Sequence, residues 1–456
     1  MKSKYLIASF LLSTAIFMQS CDKELDVKPK QSIDASTALT TAADVDAAVI
    51  GTYSLLSAGS LYGTNLFLLA DLQASEGYAS WRGTFQGQRD VANKSMTRDN
   101  SEAARTWNNA YRTINMANVV LDAVDVVTDP DLKNQYEGEA LFIRAALHFE
   151  LVRYYALPWG ATADNGHLGV VLRTTPFLTE APADPRSTVA QVYEQVITDL
   201  TTAASKLPEE NGSRVDKYTA LAFLARVYLQ KGDYANALAS ANDVIESGLY
   251  SMNNNIMDAF TQDNTPEVIW EIEQDVQNNA GTSNDGLATF YASFPGVGRA
   301  DVRIDAAFVN SYPAGDFRKT EWYYIGTGAR AGNTYSAKWN SFSQNLPVVR
   351  LAEMYLIRAE CNIRLGSAVG DTPANDLAQV RNLDRVGLAP ILAPTLDDVL
   401  RERVLELAFE GVRIHDIKRL RQTTGTFAWD DPKLVFPIPG QEVSASSGII
   451  TQNPGY

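Results

Sequence analysis

Apolar residues recur every three or four positions along most of the chain, which is the pattern of amphipathic helices. Four such segments occupy the first half of the sequence, and they span residues 41–56, 101–127, 131–155 and 189–207. Asp129-Pro130 closes the second segment, because proline rarely continues a helix. The pattern predicts a mainly α-helical protein.

A more specific pattern occupies residues 218–251, a unit of 34 residues. Large side chains stand at its positions 4, 7 and 11, a small one at 8 and glycine at 15, namely Leu221, Leu224, Tyr228, Ala225 and Gly232. This order resembles the tetratricopeptide repeat, in which small residues let two helices approach and glycine permits a tight turn. A less regular copy of this pattern covers residues 349–385, where Ala359 and Gly366 keep the seven-residue spacing of Ala225 and Gly232. We therefore predict stacked helical hairpins as the scaffold.

The segment between these hairpins, residues 253–347, has a different character, because helical periodicity fades and Gly, Asn, Asp and aromatic residues dominate. Within it, residues 267–273 alternate apolar and acidic side chains, which predicts a half-buried strand. A long irregular insertion in a helical protein usually carries function. Residues 66–87 are also predicted to be loop-like. The proline-containing residues 434–456 are predicted to be non-helical and to pack over the body.

Residues 395–420 form the most charged ordered segment, and we predict one long helix there. Thr395 and Asp398 have the spacing of a capping box at its start. Apolar residues at helical spacing give the helix one face to bury, and basic residues crowd its last turn, where they suit the helix dipole. The segment is therefore expected to pack against the scaffold.

Three acids of this segment, Glu402, Glu406 and Glu410, lie four residues apart, where like charges repel along a helix. Such a ladder either belongs to an active site or clamps neighbouring helices together. We expect the clamp, with Arg381 and Arg385 of the preceding helix as partners.

Composition and charge narrow the function classes. The chain has 456 residues and a formal net charge of −15, which argues against nucleic acid and anionic membrane surfaces as partners. Three histidines and two cysteines are too few for a cysteine-rich metal site or a disulfide framework. Gly326 to Ala331 matches a dinucleotide fingerprint, but turn residues follow it instead of a helix, so we regard the match as chance.

The N-terminus has the layout of a signal peptide, with two lysines and then an apolar run within residues 1–20. Cys21 follows this run directly and resembles the lipid-modified cysteine of a bacterial lipoprotein, with ordinary secretion as the alternative. Residues 21–40 are polar and aperiodic, which predicts a lipid-anchored tether.

Several motifs together suggest a family. They are the sequence ERVLELAFEGVRIHDIKR at 402–419, FPIP at 436–439 and the terminal QNPGY at 452–456. With Cys21 and the helical repeat, they resemble the SusD/RagB family of outer-membrane lipoproteins over nearly the whole mature chain. One departure lies at 155–160, YALPWG, where the family more often has glycine directly after the aromatic residue.

The resemblance implies a SusD-like fold with tetratricopeptide-like hairpins as its scaffold and an aromatic-rich, ligand-binding insertion. It also implies a protein anchored by lipid to the outer membrane and facing the cell exterior. Such a protein binds a nutrient, typically an oligosaccharide or polysaccharide, and acts as the lid of a SusC-like TonB-dependent transporter. No catalytic residue, cofactor or metal is expected. Residues 41–215 and 216–456 are expected to be the two family regions of one compact unit.

Sugars require flat aromatic faces and polar groups for their hydroxyls, so the candidate ligand residues come from two stretches outside the helical scaffold. They are Tyr78, Trp81, Arg82, Phe85, Phe290, Tyr291, Trp322 and Tyr323. We expect Trp81→Ala or Trp322→Ala to weaken binding without unfolding the protein. Two alternatives stay open: a surface glycoside hydrolase, which needs only two carboxylates, and a peptide-binding member of the same family.

Overall fold

The structure, a computed structural model, describes residues 39–177 and 183–456. The predicted signal peptide, Cys21 and nearly all of the predicted tether lie outside the described residues. Helices make up most of the regular structure, which confirms the mainly α class. None of the described helices is both long and apolar enough to cross a membrane.

The first region consists of helices with one short strand between them. These elements are α1 (Ala42–Leu56), α2 (Asn65–Gln73), β1 (Ala79–Trp81), α3 (Gln86–Ala92), α4 (Ser101–Ala123), α5 (Pro130–Tyr155) and α6 (Val189–Lys206). Side chains cap the long helices at their starts: Asn100 for α4, Asp129 for α5, and Thr188 through a capping box for α6. Helices α4, α5 and α6 pack side by side.

The loop-like prediction for residues 66–87 is wrong, because α2, β1 and the start of α3 lie there. All nine residues of α2 are buried. A helix buried all round has no polar face, so its sequence lacks the amphipathic pattern that would reveal it.

The predicted repeat forms a helical hairpin of α7 (Lys217–Lys231) and α8 (Tyr234–Glu246). Gly232 ends α7 in the left-handed conformation, with φ of 76°, as the repeat pattern requires. The apolar core runs from this hairpin into the first region. Phe142 of α5 contacts Phe223 of α7, and their ring centroids lie 4.8 Å apart.

The insertion contains short helices and two small sheets. Its elements are α9 (Asp258–Thr261), β2 (Val268–Ile272), α10 (Leu287–Tyr291), β3 (Val302–Ile304), α11 (Ala306–Val309), α12 (Arg318–Glu321), β4 (Tyr323–Ile325), β5 (Thr334–Ser336) and β6 (Leu346–Arg350). One antiparallel sheet has the strand order β1-β3-β5-β4, and the other pairs β2 with β6.

Strand β2 confirms the prediction of a strand at 267–273, but the strand is buried on both faces rather than one. Two of the three acids in the alternating segment, Glu267 and Glu271, are buried and have partners in the interior. Glu267 pairs with Arg350 and Arg385, and Glu271 accepts a hydrogen bond from Asn345. Paired acids can be buried at positions that the alternation alone would place in water.

The chain then forms the second predicted hairpin and ends in short helices. These are α13 (Leu351–Leu365), α14 (Pro373–Val380), α15 (Leu383–Val386), α16 (Leu396–Glu406), α17 (Arg413–Arg419) and α18 (Gly440–Ala445). Gly366 ends α13 with φ of 63°, and α13 packs against α8, so the two hairpins are stacked. Residues 440–445 correct the expectation of a non-helical C-terminal segment. The segment does pack on the body, because Asn453 donates hydrogen bonds to the carbonyls of Tyr155 and Phe436.

The prediction of one long helix over 395–420 is wrong. The capping box of Thr395 and Asp398 is present, but α16 ends at Glu406 and α17 starts only at Arg413. Phe409 and Gly411 between them adopt left-handed backbone angles, with φ of 63° and 74°. Two left-handed residues cannot be accommodated in a right-handed helix, so the helix breaks there.

Candidate ligand-binding face

The helix break after α16 is held by side chains of the insertion. A helix end leaves carbonyls without partners inside the helix. Lys338 donates to the carbonyls of Glu406 and Ala408 at 3.1 and 3.0 Å, and Trp339 donates to that of Phe409 at 2.9 Å. The insertion therefore completes the hydrogen bonding of the broken helix.

The acids around the break lie in a buried network of ion pairs. Glu406 contacts three guanidiniums, those of Arg318 at 2.9 Å, Arg350 at 3.1 Å and Arg385 at 2.7 Å. Burial opposes the ionisation of Glu406, but these guanidiniums outweigh burial and hold its pKa well below its usual range.

The other two acids of the ladder are paired in the same way. Glu410 contacts Arg350 at 2.8 Å and Lys338 at 2.7 Å, while Glu402 contacts Arg318 at 2.6 Å and Arg381 at 3.5 Å. The predicted clamp is thus confirmed, with Arg381 and Arg385 in it, and its further partners come from the insertion and from β6.

Six of the eight predicted ligand residues lie in the interior, and they are Tyr78, Trp81, Phe290, Tyr291, Trp322 and Tyr323. Their polar atoms serve the core: Tyr291 donates to Asp71 at 2.7 Å, and Trp322 donates to the carbonyl of Ile256 at 3.2 Å. The Lys338 ammonium lies 3.6 Å from the centre of one Trp322 ring. A side chain enclosed in this way has no open face for a sugar, so the structure gives these six a packing role.

The remaining two, Arg82 and Phe85, are exposed. They follow β1, at the edge of the sheet formed by β1, β3, β5 and β4. Side chains alternate between the two faces of a strand, so this sheet has an inner face on the core and an outer face. On β4, Tyr323 points inward and is buried, while the next residue, Tyr324, is on the outer face and half-buried.

The outer face of this sheet, together with residues 293–299, carries an aromatic surface that we name the aromatic face. Phe294 and Tyr324 stack with ring centroids 4.6 Å apart and planes at 12°. Ser293 fixes this pair by donating its N–H to the Tyr324 hydroxyl at 2.7 Å. The Phe294 ring remains partly open to solvent, with 41% exposure.

A second part of the aromatic face surrounds Phe85. The Arg299 guanidinium lies 4.2 Å from the centre of the Phe85 ring, and Arg299 also pairs with Asp301 at 2.9 Å. The N–H of Arg82 donates to the Asp301 carbonyl at 2.6 Å, which ties this loop to β3. Burial raises the pKa of Asp301, and Arg299 opposes that rise. The result is an exposed aromatic ring with one guanidinium packed against it.

Three polar atoms on the strands of this sheet have no hydrogen-bond partner within the described residues. They are Nε1 of Trp81, Nε of Arg303 and the hydroxyl of Tyr335. Buried polar groups are normally satisfied, so these three unused donors are exceptions within the sheet.

Sequence reasoning missed Phe294, Tyr324, Arg299 and Arg303 as site residues. The sequence WYYI at 322–325 could have indicated an outward-facing tyrosine. Side chains alternate along a strand, so only one of the two adjacent tyrosines can face the core. The dinucleotide-like residues that follow form a turn and a short 3-10 helix between antiparallel strands, so the match is chance, as expected. No group of three or more His, Cys, Asp or Glu in the described ranges is arranged to hold a metal ion.

The fold defines an α-helical repeat scaffold with an aromatic-rich insertion. Two family models match this chain: one described as starch-binding and associating with the outer membrane, over residues 24–229, and the SusD family, over residues 313–433. The chain therefore belongs to the SusD/RagB family.

Its relatives cover nearly its whole length. SusD-like protein P2 of Formosa agariphila is 27% identical over 95% of this chain and 96% of its own. The starch-binding protein SusD of Bacteroides thetaiotaomicron is 24% identical over 75% of this chain and 76% of its own. A crystal structure of a SusD superfamily protein from B. thetaiotaomicron superimposes with a TM-score of 0.82 at 25% identity, covering 91% of this chain and all of that one. The predicted SusD-like fold is confirmed.

Proposed function

We propose that this protein binds an oligosaccharide or polysaccharide on its aromatic face at the cell surface. In this proposal it delivers the glycan to a SusC-like TonB-dependent transporter, acts as the lid of that transporter, and is held to the outer membrane by lipid on Cys21. The observation that carries the proposal is the partly open Phe294–Tyr324 stack, and the Phe85–Arg299 pair adds a second exposed aromatic contact.

The chemistry of the aromatic face suits a sugar. A pyranose ring presents C–H groups on its faces and hydroxyls around its rim, so it is held by an aromatic plane with polar groups at the edge. Phe294 offers the plane, and the guanidiniums of Arg82 and Arg299 offer donors for hydroxyl oxygens.

The ion pairing of Glu402, Glu406 and Glu410 favours binding without hydrolysis. A glycosidase needs one protonated and one ionised carboxyl group beside the scissile bond. Glu402, Glu406 and Glu410 are instead buried and paired with arginines and a lysine. The lid and anchoring roles are supported by membership of the family and by the outer-membrane association that its family model describes.

The proposal is tested by removing the aromatic face one ring at a time. Calorimetry with a panel of plant, algal and microbial glycans identifies a ligand, and that ligand is then titrated into Phe294→Ala and Tyr324→Ala. Loss of one stacking ring is expected to weaken binding by roughly two- to tenfold, since aromatic contacts contribute about 0.5–1.5 kcal/mol. Phe317→Ala is the matched control, because Phe317 is 42% exposed but lies outside the face, on the turn before α12.

Two results would contradict the proposal. One is equal glycan affinity in both face variants and the control. The other is release of shorter sugars by the purified protein, which would indicate a hydrolase. Tight binding of peptides with no glycan binding would favour the peptide-binding alternative.

A further inference from the structure

A groove runs along the end of the β2–β6 sheet, beside α1. It has two lobes, with volumes of about 460 and 640 Å³. Both lobes are lined by Arg214, Asn264, Trp270 and Glu271, so they meet at these residues. None of the residues of the aromatic face lines this groove. It is therefore a separate feature of the molecule.

Acids outnumber bases along the larger lobe. Its lining includes Asp263, Glu271, Glu273 and Asp275, and its one basic residue is Arg214. The charge of Arg214 is already matched, because its guanidinium contacts Asp46 at 2.9 Å and Glu139 at 3.6 Å. The free charge of the lobe is thus negative.

Glu271 is the best-defined feature of the groove. Its side chain is enclosed, with 7% exposure, and its Oε1 accepts hydrogen bonds from the Asn264 N–H at 2.8 Å and the Asn345 amide at 2.6 Å. Its other oxygen, Oε2, has no partner anywhere in the described chain. An enclosed carboxylate oxygen without a donor is costly, so a donor from a ligand or water would stabilise it.

We infer that this groove is a second binding site, and that its ligand carries protonated amines together with hydroxyl groups, as an oligosaccharide of amino sugars does. The ammonium group supplies the positive charge and the donor that Glu271 lacks. Hydroxyls meet the polar groups of the same lobe, among them Ser54 and Ser57 of α1 and the amide of Asn278. Ile50 and Tyr53 of α1 line the same lobe and supply apolar surface for the sugar rings.

The arrangement of the acids favours an extended ligand over a metal ion. No three acids in the part of the chain that the structure describes converge as metal ligands. They are instead distributed along the lobe, which suits a chain with several amines. The pKa of Glu271 is raised by burial, with Asp263 and Glu273 adding to the rise, so a nearby ammonium would favour its ionised form.

The test uses the full mature protein and a pair of probes that share a sugar backbone, of which only one carries positive charge. The probes are a glucosamine oligomer with free amines and its fully N-acetylated counterpart, titrated by calorimetry where the amines are protonated. The glucosamine oligomer is expected to bind at least roughly tenfold more tightly, because a hydrogen bond to a charged group is stronger than one between neutral groups. Glu271→Gln keeps the shape and the Oε1 acceptor, and it should lower this affinity by roughly tenfold.

Three further variants distinguish binding in the groove from general attraction to the acidic protein. Glu194→Gln removes an equal charge at an exposed position of α6, outside the groove, and should bind like the wild type. Ser54→Arg puts a cation at an exposed position in the groove and should weaken binding, whereas Ser54→Gln should not. The variants of the aromatic face should keep full affinity for the amine probe, so failure of this inference is distinguishable from failure of the proposed function.

Three results would overturn the inference. They are equal affinity for the two probes, equal weakening by Glu194→Gln and Glu271→Gln, and no effect of Ser54→Arg. Each result would show that the amine probe is attracted to the acidic protein as a whole, or that it is not bound in the groove.

Discussion

Tyr78 lies flat against Phe409, with ring centroids 4.2 Å apart and planes at 13°, and its hydroxyl accepts the hydrogen bond of the Phe409 N–H. Phe409 is the non-glycine residue that adopts left-handed backbone angles in the break between α16 and α17. Such a conformation is costly and persists only when neighbours impose it. Tyr78 supplies both a stacking surface and a hydrogen bond, so it holds the break in place.

Tyr78→Phe is expected to keep the stack and lose the acceptor for the Phe409 N–H. An unsatisfied buried N–H costs about 1–3 kcal/mol. The free energy of unfolding, measured in urea, should fall by that amount, while glycan affinity of the folded protein stays unchanged. A loss of glycan affinity at unchanged stability would instead return Tyr78 to the binding site.

Trp322→Ala is expected to destabilise the protein rather than weaken its binding. Trp322 is fully enclosed and supports Lys338, which caps the helix break, so its removal leaves a large cavity. Such truncations cost about 3–5 kcal/mol. Thermal and urea unfolding measure this loss, and the outcome that would contradict it is normal melting with impaired binding.

Glu406→Ala leaves three buried guanidiniums without their shared carboxylate. Breaking a buried ion pair from one side typically costs about 3–5 kcal/mol. A large fall in melting temperature is therefore expected, and Glu194→Ala, at an exposed site, serves as its control. Unchanged melting with abolished glycan binding would refute the role of Glu406 as a clamp.

Asp71 is expected to make stability depend on pH. Burial, with Glu410 adding to it, raises its pKa from 3.8 to about 7, against the opposing hydrogen bond from Tyr291. The folded state therefore binds this proton more tightly than the unfolded state. The contribution of Asp71 to stability falls as pH rises from about 4 to about 7 and is constant above that range.

Asp71→Asn removes this term, so the variant should gain stability relative to the wild type as pH rises from 4 to 7. The gain is on the order of a few kcal/mol across that range. Urea unfolding of both proteins at several pH values measures it, and other titrating groups cancel in the difference. Asp122→Asn, at an exposed site, should show no such trend; parallel pH profiles for wild type and Asp71→Asn would disprove the assignment.

Cys21→Ala is expected to release the protein from the membrane. If Cys21 carries the lipid, the variant should appear in the aqueous phase of a detergent partition, whereas the wild type stays with detergent. Cys361→Ala is the control, since the Cys361 thiol is buried. This burial raises its pKa to about 12. Membrane partition of Cys21→Ala would rule out the lipid anchor.

Local chemistry made much of the scaffold predictable. Gly232 and Gly366 mark hairpin turns because a left-handed helix end favours glycine, and Thr395 with Asp398 marks a helix start through hydrogen bonds that span three residues. These signals depend on neighbours in sequence, so a single chain reveals them.

The candidate site was less predictable, because it depends on contacts between distant segments. Whether Tyr323 or Tyr324 faces the core is decided by pairing of β4 with β5 and by packing on Phe409, 85 or more residues away. The break at Phe409 likewise depends on Tyr78, more than 300 residues earlier in the chain. Composition identified the aromatic-rich segments but could not orient their side chains.

The division between Tyr323 and Tyr324 has a consequence for how this protein can change. The two adjacent tyrosines are under different constraints. Tyr323 must fit the packed interior, whereas Tyr324 must suit only the outer surface. Substitutions confined to the outward positions leave the helix break and its ion pairs untouched. Under the proposed function, the sheet can therefore exchange one ligand preference for another in few steps, which also makes it a suitable platform for engineered recognition.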